Sequence, residues 1–103
     1  MLYEIEDKDL LILLETGNKG KYKSFARDRR FMEGLRRVFA TFEAALNVDE
    51  LLNKWSFLHY ERLTGDRSGF SSCRITNSSP MRLIIRERDD KLFITIIKLE
   101  DYH

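Results

Sequence analysis

The spacing of apolar and polar residues changes several times along the first half of the chain, and each change predicts a different element. Residues 1–6, MLYEIE, alternate and predict a short strand. Residues 7–17 predict a short helix that is capped by Asp7 and ends at Gly17. From Ser24 onward, apolar residues recur at helical steps and predict an amphipathic helix of about 20 residues. Its apolar positions are Phe31, Leu35, Val38, Phe39, Phe42 and Leu46.

The second half of the chain changes from helical spacing to short apolar runs separated by turn residues. After a further short helical stretch at Asn47, residues 56–69 contain two glycines and predict a turn-rich connection. Three predicted strands follow, and they read FSSCRIT, MRLIIRER and KLFITIIKL. The pattern predicts one α+β domain over residues 1–103, with an N-terminal strand and two helices packed on an antiparallel sheet.

Arginines recur on one face of the second of these strands. Alternation puts Arg82, Ile84, Arg86 and Arg88 on one side and Leu83 and Ile85 on the other. Arginines are costly to bury, so we expect this face to be hydrated or to bind an anion. Whether Arg74 of the preceding strand shares that face depends on the hairpin register, which the sequence leaves open. Ion pairs with Glu61, Asp66 or Glu87 are the structural alternative for these arginines.

Charge is unevenly distributed, although the net charge is only +1. Residues 18–37 carry eight bases and two acids, and residues 55–88 carry six arginines and three acids. Local potential governs the approach of a polyanion, so two basic segments are compatible with nucleic-acid binding. For the lysines of the first segment alone, a solvated helix face is at least as good an interpretation.

Composition argues against several other classes of protein. No apolar stretch approaches the roughly 20 residues that span a bilayer, and the acidic N-terminus is unlike a secretory signal or transit peptide. Cys73 is the only cysteine and is predicted to be a small buried apolar residue, which suits a reducing cytoplasm. With two histidines and no acidic cluster at ligand spacing, neither a metal nor another cofactor is predicted.

The residues that carry chemistry fit the cleavage of RNA without a metal. That reaction needs a group that takes the proton of the 2′-hydroxyl, cations that stabilise charge on the phosphate, and an acid for the leaving oxygen. Imidazole serves either proton role near neutral pH, and guanidinium offers planar bidentate donors to phosphate. The candidates are His59, Arg62, Arg74, Arg82, Asp101, Tyr102 and His103.

The order of these residues resembles that of a known family. LHYERLTGDRSGFSSCRI, then MRLIIR, then the final DYH resemble the RelE/ParE superfamily of bacterial toxins, and within it the HigB-type endoribonucleases. The resemblance implies a RelE-like fold and a type II toxin that cleaves messenger RNA on the ribosome in the cytoplasm. It also implies inhibition by a HigA-like helix-turn-helix antitoxin.

The resemblance also implies individual roles. His59 and His103 would transfer protons, Arg74 and Arg82 would hold the scissile phosphate, and Asp101 and Tyr102 would complete the catalytic set. The RNA-binding residues would be Arg62, Arg86, Lys19, Lys21 and Lys23. Arg62 stands where the family usually has lysine, so the charge is kept but not the ability to lose a proton.

Two alternatives come from other functional classes. The first is a ParE-like gyrase poison, which needs no proton-transfer residues. The second is an inactive homologue that only binds the antitoxin and represses its own operon. His103 and Tyr102 could also serve only as a frayed end and a strand anchor.

Overall fold

The computed structural model describes residues 1–101, which form three α-helices and five strands. The helices are α1 (Lys8–Glu15), α2 (Arg29–Ala44) and α3 (Val48–Asn53). The strands are β1 (Leu2–Ile5), β2 (Glu61–Arg62), β3 (Ser71–Arg74), β4 (Met81–Glu87) and β5 (Phe93–Asp101). The predicted α+β class is confirmed, and the short strand β2 lies in the stretch that was predicted to be a turn-rich connection.

All five strands join one sheet in the order β1-β5-β4-β3-β2. The pairs β3–β4 and β4–β5 are antiparallel, as predicted, and the short strand β2 adds a further antiparallel pair with β3. The edge strand β1 departs from that prediction, because it pairs parallel to β5 with Leu2 opposite Phe93. A local pattern cannot reveal this pairing, since the two strands stand at opposite ends of the chain. The sheet is therefore mixed.

Helix α2 covers one face of the sheet with the apolar residues predicted from its spacing. Phe31, Leu35, Val38, Phe39 and Phe42 are buried, whereas Leu46 lies beyond the helix and is 74% exposed. The helix has 16 residues rather than about 20. It begins later than predicted because the Asp28 side chain accepts a hydrogen bond from the Phe31 N–H and caps it.

A β-bulge keeps the apolar side chains of β5 on the core face. Leu83 is opposite Leu99 and Ile85 is opposite Ile96, so β5 carries one extra residue, Ile97, between these pairs. One extra residue reverses the alternation, which lets Leu99 and Ile96 face the same core despite their odd separation. Cys73 is fully buried on that face, as predicted.

The other face of the sheet, which we call the outer face, carries Arg82, Ile84 and Arg86 by the alternation along β4. This face is only partly hydrated, because Ile84 is 2% exposed. It lines a shallow cleft together with Phe70 and Arg67 of the connection that precedes β3. Within the described part of the chain, no helix is both long enough and apolar enough to cross a membrane.

Candidate functional site

Arg74 and Arg82 are opposite each other in the antiparallel ladder of β3 and β4. Directly opposed residues project to the same side, so both belong to the outer face. This answers the question of register that the sequence left open. Two guanidinium groups on neighbouring strands can approach one phosphate from adjacent positions.

Arg82 is held in place by hydrogen bonds to the protein. Its Nε donates to the Ser72 Oγ at 3.0 Å, and its Nη2 donates to the backbone carbonyl of His59 at 2.6 Å. The Glu61 carboxylate lies at 4.0 Å from the same Nη2, and the side chain of Arg82 is only 12% exposed. Such a guanidinium is already oriented before any ligand arrives.

His59 ends the short 3-10 helix Ser56–Leu58 in a left-handed backbone conformation, with φ of 44° and ψ of 46°. Few residues other than glycine adopt this region, although histidine is among those enriched in it. The backbone carbonyl of His59 binds Arg82, and the residue itself is exposed. The segment that carries the imidazole is therefore tied to the arginine pair by its main chain.

The pairing of Arg82 continues across the sheet to Glu100 of β5. The hydrogen bond from Arg67 holds the pKa of Glu100 below its usual value despite partial burial, and Lys98 acts in the same direction. Asp101 follows in the same strand and is exposed, opposite Met81. Asp101, the last residue of β5, therefore directly follows Glu100, which pairs with Arg82. The other two members of the predicted terminal triplet, Tyr102 and His103, lie outside the described residues.

Arg62 belongs to a different cluster. Its guanidinium donates to the Glu87 carboxylate at 3.1 Å, and the same carboxylate accepts from the Tyr60 hydroxyl at 2.8 Å and the Ser71 hydroxyl at 2.7 Å. Adjacent strand residues point to opposite faces, so Ser71 and Glu87 are across the sheet from Arg82. The structure thus separates Arg62 from the arginine pair with which it was predicted to act.

The Glu87 cluster shifts the pKa values of its acids. Burial opposes the ionisation of Glu87, but hydrogen bonds from Arg62, Ser71 and Tyr60 outweigh it and hold the pKa below its ordinary value. Burial raises the pKa of Tyr60, and the neighbouring Glu87 carboxylate adds to this rise. The cluster therefore holds one carboxylate and one neutral phenol at neutral pH.

The remaining predicted RNA-binding residues lie apart from the arginine pair. The Arg86 guanidinium is 3.2 Å from the Glu6 carboxylate, on the β1 side of the sheet. Lys19, Lys21 and Lys23 are exposed in the segment that follows α1. The Lys21 amine lies 3.9 Å from Asp7 and over the Tyr22 ring. None of these contacts links them to Arg74 or Arg82.

A cleft of about 580 Å³ lies where α2 meets the end of β3, and the sequence reasoning did not find it. Arg74 lines this cleft together with Arg30 and Arg37 of α2 and the ring of Phe57. The two helix arginines are seven residues apart, which is the only sequence signal that they share one helix face. Among residues 1–101, no group of three metal-ligating side chains could hold a metal ion.

These features define an α+β protein with a RelE-like fold and an arginine pair on the outer face of its sheet. Neither a family model nor a curated protein matches the sequence. Among solved structures, the chain is similar to the YoeB/ParE toxin from Agrobacterium tumefaciens. The TM-score is 0.59 at 17% identity, and the match covers 100% of both chains. At this identity the likeness shows the fold.

Proposed function

We propose that this protein is the toxin of a type II toxin–antitoxin pair and acts as a metal-independent endoribonuclease on messenger RNA. Two independent features support the class. The fold matches that of a YoeB/ParE toxin over the whole of both chains, and the sequence motifs resemble those of the HigB type. The HigB-like subtype rests on the motifs alone.

The observation that carries the proposal is the oriented pair of Arg74 and Arg82. The Arg82 Nε donates to the Ser72 hydroxyl, its Nη2 donates to the backbone carbonyls of His59 and Ser72, and the Glu61 carboxylate lies beside it. These contacts orient the Arg82 guanidinium, and Arg74 lies opposite it on the neighbouring strand, so the two arginines can share the charge that develops on the phosphorus oxygens. The protein therefore presents rigid positive charge where the reaction accumulates negative charge.

The proposed reaction is an attack by a ribose 2′-hydroxyl oxygen on the adjacent phosphorus. The 2′-oxygen–phosphorus bond forms, the bond from phosphorus to the 5′-oxygen breaks, and a 2′,3′-cyclic phosphate results. One histidine accepts the hydroxyl proton and another protonates the departing 5′-oxygen, for which His59 and His103 are the candidates. From the motif resemblance, Asp101 and Tyr102 complete the catalytic set, and Tyr102 together with Arg62 positions the RNA.

The partners follow from the class of protein. We infer a HigA-like helix-turn-helix antitoxin that inhibits the toxin, a messenger RNA substrate, and a ribosome that presents it in the cytoplasm. Ribosomal presentation fits a protein of 103 residues, because part of the substrate positioning is then supplied by the ribosome.

Primer extension on messenger RNA from induced cells tests the proposal. Wild-type protein should stop growth and leave discrete cuts, and Arg82→Ala should remove both because the fixed guanidinium is gone. Arg88→Ala is the matched control, since it removes a β4-flanking arginine that pairs with Asp90 in the next turn. Growth arrest without cuts, accompanied by inhibited supercoiling, would instead identify a gyrase poison of the ParE type. Unimpaired growth on wild-type induction would favour an inactive homologue.

A further inference from the structure

The cleft between α2 and the end of β3 depends on a close approach that only glycine allows at position 34. A Cβ on Gly34 would lie 2.6 Å from the Thr76 methyl and 2.8 Å from the Ile75 carbonyl oxygen. The helix backbone can therefore approach residues 75–76, directly after β3, this closely only because residue 34 is glycine. Arg30 and Arg37 stand one helical turn to either side of this contact, and both line the cleft.

The cleft is strongly basic. Arg30, Arg37 and Arg74 contribute three guanidinium groups. Glu33 is its one acidic member, and that carboxylate lies 3.4 Å from Arg29. Within residues 1–101, no carboxylate forms an ion pair with any of the three cleft arginines. Their charge is thus available to an anion that enters the cleft.

An aromatic ring completes the lining. Phe57 is partly exposed, and the Arg37 guanidinium carbon lies 4.7 Å from its ring centroid. Arginine beside an aromatic ring is the combination that binds single-stranded nucleic acid, through phosphate contacts and base stacking. The volume of about 580 Å³ falls within the range of ligand sites.

The cleft shares one lining residue with the arginine pair, and another of its lining residues is close to His59 in the sequence. Arg74 lines the cleft and also stands opposite Arg82 in the sheet. Phe57 precedes His59 by two residues in the same connection. One strand of RNA can therefore contact Arg82 and Arg74 on the outer face and continue into the cleft.

We propose that the cleft is a nucleotide subsite for the RNA substrate. It binds a nucleotide next to the scissile phosphate, with the neighbouring phosphate on Arg30 and Arg37 and the base against Phe57. This subsite rests on the proposed nuclease function, because Arg74 is shared between the two. It adds a specific binding role for two helix arginines of the basic segment of residues 18–37.

Fluorescence anisotropy with a labelled single-stranded decaribonucleotide tests the subsite. Full 2′-O-methylation of this RNA removes the attacking hydroxyl, so binding is measured without cleavage. The double variant Arg30→Ala/Arg37→Ala should weaken binding by at least tenfold. It should also reduce the slope of log affinity against log salt by about 0.7, because the contact with one phosphate is lost.

The matched control is Arg27→Ala/Arg36→Ala. It removes the same charge from exposed positions that do not line the cleft, and it should weaken binding less than threefold. Phe57→Leu keeps an apolar side chain but removes the ring, and it should weaken binding at least fivefold through lost stacking. Thermal denaturation of each variant confirms that the fold is kept.

Four other results of these experiments would each contradict part of the proposal. Equal weakening of RNA binding by the two double variants would overturn the subsite and indicate diffuse electrostatic attraction. No binding of the RNA by the wild-type protein would overturn it as well. Tighter binding of a labelled decaglutamate peptide that is lost only in Arg30→Ala/Arg37→Ala would instead identify a site for an acidic protein segment. If the variants bind RNA as expected but the wild-type protein leaves no cuts in cellular messenger RNA, the nuclease proposal is wrong. The cleft would then remain a binding site for single-stranded RNA.

Discussion

Arg74 stands directly opposite Arg82 across the ladder of β3 and β4, so two like charges occupy neighbouring positions on one face of the sheet. Like charges that are directly opposed destabilise a sheet. The cost is offset locally, because Arg82 binds Ser72 and His59 and the Arg74 Nη1 donates to Asn77 at 2.9 Å. A pair that costs stability in the free protein is expected where an anion is to be bound.

Replacing Arg74 by threonine should therefore stabilise the protein while damaging its activity. Threonine favours strands and relieves the repulsion, so we expect the free energy of unfolding to rise by up to about 1 kcal/mol. Messenger RNA cleavage should fall by about 10²-fold, because one donor to the transition state is lost. Urea denaturation and a cleavage time course measure the two effects. Arg86→Thr removes an arginine opposite Thr95 and should bring no such gain; equal gains in both variants would contradict the argument.

The sequence predicted which residues share a face within one strand better than which residues are opposite each other on neighbouring strands. Alternation correctly put Arg82 and Ile84 together, because a side-chain period of two is a local property. It could not decide whether Arg74 joins them, since the register depends on the loop of residues 75–80. The contact between Arg62 and Glu87 could not be predicted for the same reason, because the two residues are 25 positions apart. The similarity to a solved toxin structure shows the fold only, so the roles of individual side chains stay predictions.

His59→Gly should separate the backbone role of residue 59 from the role of its imidazole. Glycine adopts a φ of 44° freely and keeps the carbonyl that binds Arg82. The free energy of unfolding should therefore stay within about 1 kcal/mol of wild type. Cleavage should fall by about 10²-fold, the size of a general acid–base contribution. Lys91→Gly is the control, because Lys91 also has a positive φ, of 63°, but lies in the turn before β5. Wild-type cleavage by His59→Gly would remove the imidazole from the mechanism.

Glu87→Gln should reveal the Glu87 cluster as a pH-dependent stabiliser of strand β2. The variant should lose roughly 1–3 kcal/mol at pH 7, because three donors lose a charged acceptor. The pKa of Glu87 is lower in the folded protein than its ordinary value of 4.5. The stabilisation is therefore present above that value and is lost as the pH falls through the folded pKa. Urea denaturation from pH 7 to about pH 3 should show the two proteins converging at the acid end. Glu15→Gln, at an exposed position of α1, should show almost no difference from wild type at any pH.

Gly34→Ala should destabilise the protein, although alanine is the better helix former by about 1 kcal/mol. The added Cβ would meet the Thr76 methyl at 2.6 Å and the Ile75 carbonyl oxygen at 2.8 Å, and a backbone atom cannot rotate away. Overpacking of this kind costs about 1–3 kcal/mol, so we expect a net loss in the free energy of unfolding. Ala40→Gly is the matched change at an exposed position of the same helix, and it should lose about 1 kcal/mol from propensity alone.

Gly34→Ala should also weaken RNA binding by the folded protein, because the contact of Gly34 with residues 75–76 holds Arg30 and Arg37 at the cleft. If Gly34→Ala instead stabilised the protein by the same amount that Ala40→Gly destabilises it, α2 and residues 75–76 would not be in close contact in solution.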